Sequence, residues 1–411
     1  MMAKEMKDSG IEWIGKIPED WRLVKVKHLF EIGRGRVIAK TELEDEGFPV
    51  YSSQTKNNGI LGYIKTYDFD RSQLTWTTDG ANAGTVFLRE GKHNCTNVCG
   101  TLMPKNDNND LKFMKYALEF IAIYHKRADT NGFKIMNNEM AEIKITMPPL
   151  SEQIKIADFL DEKVSELDAI IVKTKESIEE YKRYRNSIIS EKIIFGMDLS
   201  IPMKNSGVDW CPQIPEHWNV INPKALFALR KEKAKEGDRQ LTASQKKGIM
   251  YQDEYMEAEG VRVVVVQKDF DILKHVEPDD FVISMRSFQG GLEYSELRGC
   301  ISSAYVMLIP NKDKVYSPFY KWFFKSSKYI NAIQSTSNLV RDGQAMRYSN
   351  FAQVPLLDIP LDEQKEIANY LDAKCAEIDA LIAKKEAFVE EMEAYKKSLI
   401  YEYVTGKKEV L

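Results

Sequence analysis

Apolar residues recur at alternating spacings of four and three along two stretches of the chain. In the first stretch, the heptad positions are Leu160, Val164, Leu167, Ile171, Thr174, Ile178, Tyr181, Arg185 and Ile188. In the second stretch, they are Leu371, Cys375, Ile378, Ile382, Lys385, Val389, Met392, Lys396 and Leu399. A heptad pattern sustained over about four repeats predicts two long helices that pair as a coiled coil. The alternative is that each helix packs only on its own domain.

Each row of heptad positions forms a seam, and polar residues interrupt both seams at equivalent positions. These are Thr174 with Lys385 and Arg185 with Lys396. The apolar positions are therefore expected to select the register.

A similar phrase precedes each heptad stretch, PLSEQIKIADFLD at residues 149–161 and PLDEQKEIANYLD at residues 360–372. Ser151 and Asp362 are good N-cap residues, and a glutamate follows each of them, so we predict that the helices begin there. Gly196 and Gly406 are suited to end them. A helix from residue 151 to residue 195 would be roughly 65 Å long, which exceeds what a compact domain needs.

A second phrase is duplicated as well. IPEDW at residues 17–21 recurs as IPEHW at residues 214–218, within longer segments that also match. The chain is therefore two copies of one design. We predict four parts, a globular domain at 1–150, a long helix at 151–196, a second globular domain at 197–358 and a second long helix at 359–411.

The segments between the repeated phrases, residues 22–147 and 219–357, are each the size of a domain and share little sequence. Both contain a strand-rich run around a glycine turn, a strand that ends in proline and an aromatic helix. Mixed strands and helices predict an α+β fold class.

Polar side chains that can recognise base edges cluster in the predicted loops of both variable segments. In the first segment they are Arg34, Arg36, Ser52, Ser53, Gln54, Lys56, Asn57, Asn58, Thr77, Thr78, Asp79 and Asn82. In the second they are Thr242, Ser244, Gln245, Lys246, Lys247, Arg286, Ser287, Gln289, Arg341, Gln344, Arg347 and Tyr348. Arginine suits guanine, asparagine or glutamine suits adenine, and loops on a scaffold are where such contacts belong. Ordinary solvated turns are the alternative.

The net charge of −4 does not by itself favour a nucleic-acid partner. The excess acid is concentrated in the two predicted long helices, which leaves the globular parts neutral to slightly basic, so DNA binding is permitted. The five cysteines are spread thinly, which favours a reducing compartment. The chain start lacks an apolar signal region and no apolar run is long enough to cross a bilayer, so we expect a cytoplasmic protein without membrane contact.

Motifs for catalysis are missing from the sequence. There is no glycine-rich nucleotide fingerprint, no nucleophile elbow and no NPPY or DPPY run of the kind found in amino-methyltransferases. His93, Cys95 and Cys99 resemble part of a zinc site but lack matching further ligands, so we interpret them as core residues and predict no metal site. Asp279 and Asp280 are interpreted as a turn. The chain is therefore predicted not to be an enzyme.

Two motifs occur twice in this chain, IPEDW with IPEHW and PLSEQIKIADFLD with PLDEQKEIANYLD. With these duplicated motifs, the chain resembles the specificity subunit of type I restriction-modification systems. The resemblance covers essentially the whole chain. It implies that each variable segment is a target recognition domain for one half of a split site in double-stranded DNA, with the two long helices paired antiparallel as a spacer in a pseudo-twofold arrangement.

The resemblance also implies partners, namely two methyltransferase subunits and restriction/translocase subunits. S-adenosylmethionine, ATP and Mg are then expected on those partners, with no cofactor on this chain. Trp13 and Trp210 are interpreted as core anchors, with partner contact as the alternative. A coiled-coil scaffold without DNA specificity is the competing interpretation of the whole chain.

Overall fold

Strands and helices mix throughout the chain, as the predicted α+β class requires. The computed structural model describes residues 5–129, 132–245, 247–263, 272–284, 287–336 and 346–410. It divides into two units, one formed by Met1–Lys175 with Glu386–Leu411 and the other by Glu176–Lys385. Each unit therefore combines one globular module with part of each long helix. The four-part division expected from the sequence stays a prediction.

The module of the first unit is rich in short strands, with three helices. Its strands are β1 (Met6–Asp8), β2 (Lys16–Pro18), β3 (Arg22–Lys25), β4 (Phe30–Arg34), β5 (Phe48–Tyr51), β6 (Ile60–Ile64), β7 (Phe69–Asp70), β8 (Gln73–Thr77), β9 (Asp79–Gly80), β10 (Val86–Arg89), β11 (Lys92–Cys95), β12 (Cys99–Pro104), β13 (Arg127–Asp129), β14 (Gly132–Lys134) and β15 (Lys144–Met147). Its helices are α1 (Val26–Leu29), α2 (Leu111–His125) and α3 (Asn137–Glu142), followed by the first long helix, α4 (Leu150–Phe195).

Within its described residues, the module of the second unit has fewer strands and more short helices than the first. Its strands are β16 (Met203–Asn205), β17 (Gln213–Pro215), β18 (Asn219–Ile221), β19 (Phe227–Arg230), β20 (Leu241–Ser244), β21 (Gly248–Tyr251), β22 (Lys274–Val276), β23 (Phe281–Ile283), β24 (Glu293–Tyr294), β25 (Gly299–Ile301), β26 (Val306–Pro310) and β27 (Leu356–Asp358). Its helices are α5 (Pro223–Leu226), α6 (Gln252–Glu259), α7 (Ser287–Gly290), α8 (Ser317–Phe323), α9 (Ser327–Ser335) and α10 (Tyr348–Gln353), followed by the second long helix, α11 (Leu361–Val404).

The two modules share a central antiparallel sheet despite their different sequences. Read from the strand that carries the duplicated phenylalanine, the strand order is β4-β12-β8-β10 in the first module and β19-β26-β23-β24 in the second. The register also agrees, because Phe30 pairs with Pro104 and Phe227 pairs with Pro310. Both phenylalanines are buried, and they occupy matching positions of the longer duplicated segments that contain IPEDW and IPEHW. The repeat seen in the sequence is therefore also a repeat of sheet topology.

Each variable segment is closed by pairing its first strand with its last. β3 pairs with β15 in the first module, and β18 pairs with β27 in the second, both antiparallel. Because β15 and β27 immediately precede the long helices, the start of each variable segment lies beside the start of a long helix.

Both long helices begin one residue earlier than predicted, at Leu150 and Leu361. Ser151 and Asp362 are therefore inside the first turn, and the N-cap prediction is wrong. The carbonyl oxygen of Pro149 accepts the backbone N–H of Glu152 at 2.9 Å and of Gln153 at 3.0 Å, so the proline carbonyl already starts the helix. Over the described part of the chain, neither long helix, nor any other, carries an apolar run sufficient to cross a membrane.

In each unit, a buried tryptophan from the IPEDW or IPEHW phrase bonds to a glutamate in the PLSEQ or PLDEQ phrase. The indole Nε1 of Trp21 donates to Glu152 at 3.2 Å, and that of Trp218 donates to Glu363 at 3.0 Å. Both indoles are fully buried. A charge-assisted hydrogen bond from a rigid indole fixes the first turn of each long helix against its module.

The glutamine that follows each of these glutamates connects the helix to the module a second time. Gln153 accepts the backbone N–H of Asp110 at 2.9 Å and donates to the carbonyl of Pro148 at 2.8 Å. Gln364 accepts the backbone N–H of Tyr316 at 2.8 Å. Both glutamines are buried, and the EQ pair of the duplicated phrase is therefore explained by these bonds.

The long helices contact each other in an antiparallel arrangement within each unit. In the first unit, Lys396 bonds to Asp168 at 2.6 Å and Lys175 bonds to Glu393 at 2.8 Å. In the second unit, Arg185 bonds to Asp379 at 2.6 Å. Arg185 and Lys396 occupy equivalent positions of the two repeats, so one of the two polar interruptions in each helix forms an ion pair with the opposite helix.

The apolar heptad positions are buried. Most are at most 8% exposed, whereas Tyr181 and Met392 are half-buried. In the first unit, Leu160, Val164 and Leu167 join the core that also contains Leu399 and Val404. The apolar residues at the predicted seam positions are thus the ones that the fold buries from solvent.

A glycine in the left-handed region follows each long helix, directly after Phe195 in α4 and two residues after Val404 in α11, and packs against the buried tryptophan of its unit. A side chain on Gly196 (φ +73°) would lie 3.2 Å from the Trp218 ring. On Gly406 (φ +69°), it would lie 2.4 Å from Pro18 and 3.2 Å from Trp21. The predicted helix ends agree with these glycines, because a positive φ together with a close contact favours glycine at both positions.

We expect Trp218→Phe to remove a hydrogen bond and side-chain volume from a fully buried position. The free energy of unfolding should fall by about 2 kcal/mol, and the melting midpoint should therefore fall by about 5 °C. Glu363→Gln keeps an acceptor and should cost less than half as much. Circular dichroism during heating measures both changes. Equal losses in the two variants would contradict a leading role for the tryptophan side chain.

We also expect the single substitution Asp379→Arg to destabilise the second unit, and the double exchange Arg185→Asp with Asp379→Arg to recover most of the loss. The pair is half-exposed, so a coupling energy of about 0.5 kcal/mol is anticipated. Chemical unfolding of the wild type, both single variants and the double variant gives that energy. Strict additivity would show that this ion pair does not set the register.

Candidate nucleic-acid interface

The loop at residues 52–59 of the first unit presents predicted base-reading side chains from an unusual backbone. Asn57 (φ 49°) and Asn58 (φ 50°) are consecutive left-handed residues, a conformation that asparagine tolerates better than most side chains. The backbone N–H of Ser52 donates to the carbonyl of Gly59 at 3.0 Å and closes the loop. Lys56, Asn57 and Asn58 are exposed. Ser53 and Gln54 are half-buried, as is Ser52.

A second loop, residues 77–85, lies against the first. The amide of Asn82 donates to the hydroxyl of Thr55 at 3.0 Å and joins the two loops. Thr77 and Thr78 are buried, and their hydroxyls bond within the unit, so in this structure they support the loop and do not face outwards. The predicted residues at 52–58 and 77–82 thus lie on two neighbouring loops, and Asp79 on the second loop is half-buried.

The hairpin of β13 and β14 extends this region and was not anticipated. β14 pairs with β9, which brings Lys134 opposite Asp79 and Phe133 opposite Gly80. The ammonium of Lys126 lies 4.3 Å from the centre of the Phe133 ring. The Asn-Gly dipeptide at residues 131–132 between two short strands was the available hairpin signal. Residues 130 and 131 themselves lie outside the described residues.

The two arginines predicted for the first unit have partners inside it. Arg34 donates to the side chain of Asn137 at 3.0 Å. Arg36 forms ion pairs with Glu42 and Asp68, both at 3.2 Å, and its hydrogen bond to Glu42 raises the pKa of the guanidinium. To contact a base, Arg36 would have to give up its ion pairs with Glu42 and Asp68. Its role in reading DNA stays a prediction.

In the second unit, the hairpin of β20 and β21 carries several of the predicted residues. Gln245 and Lys247 are exposed at its turn, whereas Thr242 and Ser244 are half-buried. Lys247 forms an ion pair with Glu259 at 2.6 Å. Exposed cationic and amide groups at a hairpin turn are sterically available to a nucleic acid.

Other predicted residues of the second unit fall in different places. Ser287 is buried, and its hydroxyl accepts the backbone N–H of Ser284 at 2.9 Å, so it supports the chain locally. Gln289 and Arg347 are exposed, and Tyr348 is half-buried. Four predictions lie outside the described residues, namely Lys246, Arg286, Arg341 and Gln344.

The histidine and cysteines that resemble part of a zinc site are core residues here. His93, Cys95 and Cys99 are buried. One ring nitrogen of His93 lies 2.8 Å from the amide of Gln73 and the other lies 2.8 Å from the carbonyl of Gly91. Burial lowers the pKa of His93, so the neutral ring is favoured. No group of three or more metal-ligating side chains forms anywhere in the described ranges.

The acid pair at residues 279–280 forms a turn, as predicted. Asp279 has a φ of 76°, and its backbone N–H donates to the carbonyl of Ser295 at 2.8 Å. Asp280 is buried and accepts two hydrogen bonds from Arg230, at 2.6 and 2.9 Å. Burial raises the pKa of Asp280 against the opposing effect of Arg230. The pair ties β19 to the turn and offers no nuclease-like arrangement.

The chain is similar to proteins of one family. The family described as "Type I restriction modification DNA specificity domain" matches residues 18–180. The N-terminal part of a putative type I specificity subunit of Mycoplasma pneumoniae is 45% identical over 139 residues, which are 33% of this chain and 74% of that protein. A putative type I restriction enzyme specificity subunit of Methanocaldococcus jannaschii is 25% identical over 431 residues, 96% of this chain and 95% of that protein. Further M. pneumoniae relatives are matched over 53% and 58% of their own length.

A solved structure agrees with the fold. It comes from work on complex assembly and conformational transition of the type I restriction-modification system, is 14% identical and superposes with a TM-score of 0.66 over 95% of this chain and 99% of that one. At this identity the likeness concerns the fold alone. Together with the sequence relatives, it confirms the resemblance drawn from the duplicated phrases. The chain belongs to the specificity subunits of type I restriction-modification systems, the non-catalytic subunits that recognise the DNA target.

Proposed function

We propose that this chain reads a bipartite site in double-stranded DNA, with each module reading one half. The observation that carries the proposal is that two modules share one sheet topology and register but present different polar loops. A common scaffold with different loop chemistry is what two readers of different sequences require.

The loop chemistry suits base reading in both units. The first unit exposes the amides of Asn57 and Asn58 beside Lys56, and the second exposes Gln245 and Gln289. Amide side chains can form two hydrogen bonds with adenine in the major groove, and lysine can contact guanine or a phosphate. The half-buried members of each loop would then hold these groups in place.

The paired long helices are proposed to fix the gap between the two half-sites. Rigid helices of 46 and 44 residues would hold two readers at a set separation, and two half-sites can be reached together only at one spacing on the DNA. Linking the two readers also raises their joint affinity through effective concentration.

Two methyltransferase subunits and restriction/translocase subunits are the proposed partners, acting with this chain in the cytoplasm. Equivalent surfaces support two equivalent partners, because Tyr184 and Tyr395 occupy matching repeat positions and are 51% and 52% exposed. In the first unit, Trp13 is half-buried and stacks on the exposed Tyr124 at 5.3 Å. S-adenosylmethionine, ATP and Mg would be bound by the partner subunits, with no cofactor on this chain.

The test of the bipartite site is to select bound sequences from a randomised duplex pool with the full-length chain assembled with methyltransferase subunits. Two short specified blocks separated by an unspecified gap are expected. The double variant Asn57→Ala and Asn58→Ala should relax one block, and Gln245→Ala with Gln289→Ala should relax the other, by about 1–3 kcal/mol per lost base contact.

If both sets of variants altered the same block, the proposal that each module reads one half-site would be contradicted. The salt dependence of binding distinguishes a DNA-reading protein from a scaffold. If the chain makes six or more phosphate contacts, its affinity for DNA should fall by about a thousandfold or more between 50 and 200 mM salt. Binding without sequence preference or salt dependence would favour the scaffold.

The spacer is tested by removing one heptad from both helices, residues 172–178 together with residues 387–393. These segments are chosen because Lys175 faces Glu393, so the remaining pairs keep their register. Seven residues correspond to about 10 Å, or about three base pairs. We expect the selected gap to shorten by about that amount or binding to be lost while both modules stay folded. Full binding with an unchanged gap would refute the spacer proposal.

A further inference from the structure

A buried arginine lies directly beneath the loop at residues 52–59. Arg89, the last residue of β10, is 1% exposed. Its guanidinium lies 3.6 Å from the centre of the Tyr51 ring and 4.2 Å from that of Phe87. Tyr51 is the residue that immediately precedes the loop. The arginine therefore sits between the central sheet and the base of the loop.

The hydrogen bonds of Arg89 join sheet to loop. Its Nε donates to the hydroxyl of Thr75 on β8 at 3.1 Å, and its Nη1 donates to the carbonyl oxygen of Asn58 at 2.8 Å. Asn58 is the second of the two left-handed residues. A bond to its carbonyl fixes the peptide plane that follows it, and with it the backbone from which the Asn57 and Asn58 side chains project.

Gly59 is shaped to this arginine. With φ at +79° it occupies a region that other residues avoid, and a side chain added there would meet Arg89 Nη2 at 2.8 Å. Nη2 itself is buried and has no hydrogen-bond partner among the described residues. The glycine therefore leaves room for a guanidinium that reaches fully under the loop.

The placement of Arg89 is costly for the fold alone. Across the described ranges, no carboxylate forms an ion pair with it, and burial lowers the pKa of the guanidinium. A buried cation that is held by ring faces, one hydroxyl and one carbonyl is a weak choice for stability, since an apolar side chain would fill the same volume without desolvating a charge. Its contacts point to the loop as the reason.

We propose that Arg89 is a positioning residue for DNA recognition, which holds residues 52–59 in the conformation that reads one half-site. The inference rests on the proposed function. Arg89 does not touch DNA in this proposal, because it is covered by the loop. Lysine cannot replace it, since an ammonium lacks the planar fork that reaches Thr75 and Asn58 together while stacking on Tyr51.

The test compares selected DNA sequences for the full-length chain in its methyltransferase complex. Arg89→Lys should reduce base discrimination roughly tenfold in the block that the Asn57 and Asn58 variant relaxes, and should leave the other block unchanged. Arg230→Lys serves as the control, because it alters an arginine of the second unit whose side chain is only 11% exposed and which is ion-paired to Asp280. That control should retain the first block.

A second pair of variants decides the matter should Arg89→Lys fail to fold. Gly59→Ala and Gly91→Ala both place alanine at positive φ, +79° and +68°, but only Gly59 faces Arg89, whereas nothing lies within 4 Å of a side chain at Gly91. Gly59→Ala should relax the same block, and Gly91→Ala should not. Lower melting midpoints with both blocks intact in Arg89→Lys and Gly59→Ala would overturn the inference. A wild-type complex that selects no blocks would instead refute the proposed function.

Discussion

The hydrogen bond between a buried indole and a glutamate in the first helical turn determines how each repeat is assembled. Trp21 with Glu152, and Trp218 with Glu363, join two phrases that lie far apart in the sequence. The same tryptophans pack against the glycines that end the long helices. One side chain in each unit therefore contacts a helix start and a helix end, and its loss would free both.

This constraint leaves the loops free to differ. The buried residues that define the sheet register, such as Phe30 and Phe227, belong to the repeated framework, whereas Asn57 and Gln245 lie on connections outside it. Loops can change chemistry without disturbing strand pairing, provided that their ends stay in place. In the first unit, that support comes from Asn82 and Arg89, which tie the loop at residues 52–59 to its surroundings.

Periodicity predicted the long helices and their buried faces well, because heptad spacing directly reflects which positions leave water. It predicted the helix starts less well, since Ser151 and Asp362 are good caps but the preceding prolines supply the first carbonyl. Composition found the loops at residues 52–59 and 77–85, yet could not tell Asn57, which is exposed, from Thr77, which is buried. Turn-forming residues both build loops and project from them, and only tertiary contacts separate the two roles.

Arg89 could not have been found from the sequence, because a buried arginine carries no periodic or compositional signal. The strand pairing at the borders of each module has a different kind of consequence. β3 with β15, and β18 with β27, bring the two ends of a variable segment side by side. A segment with adjoining ends can be substituted as a whole by another of the same topology, and all of the loops that it carries would then be exchanged in one step without disturbing the repeated framework.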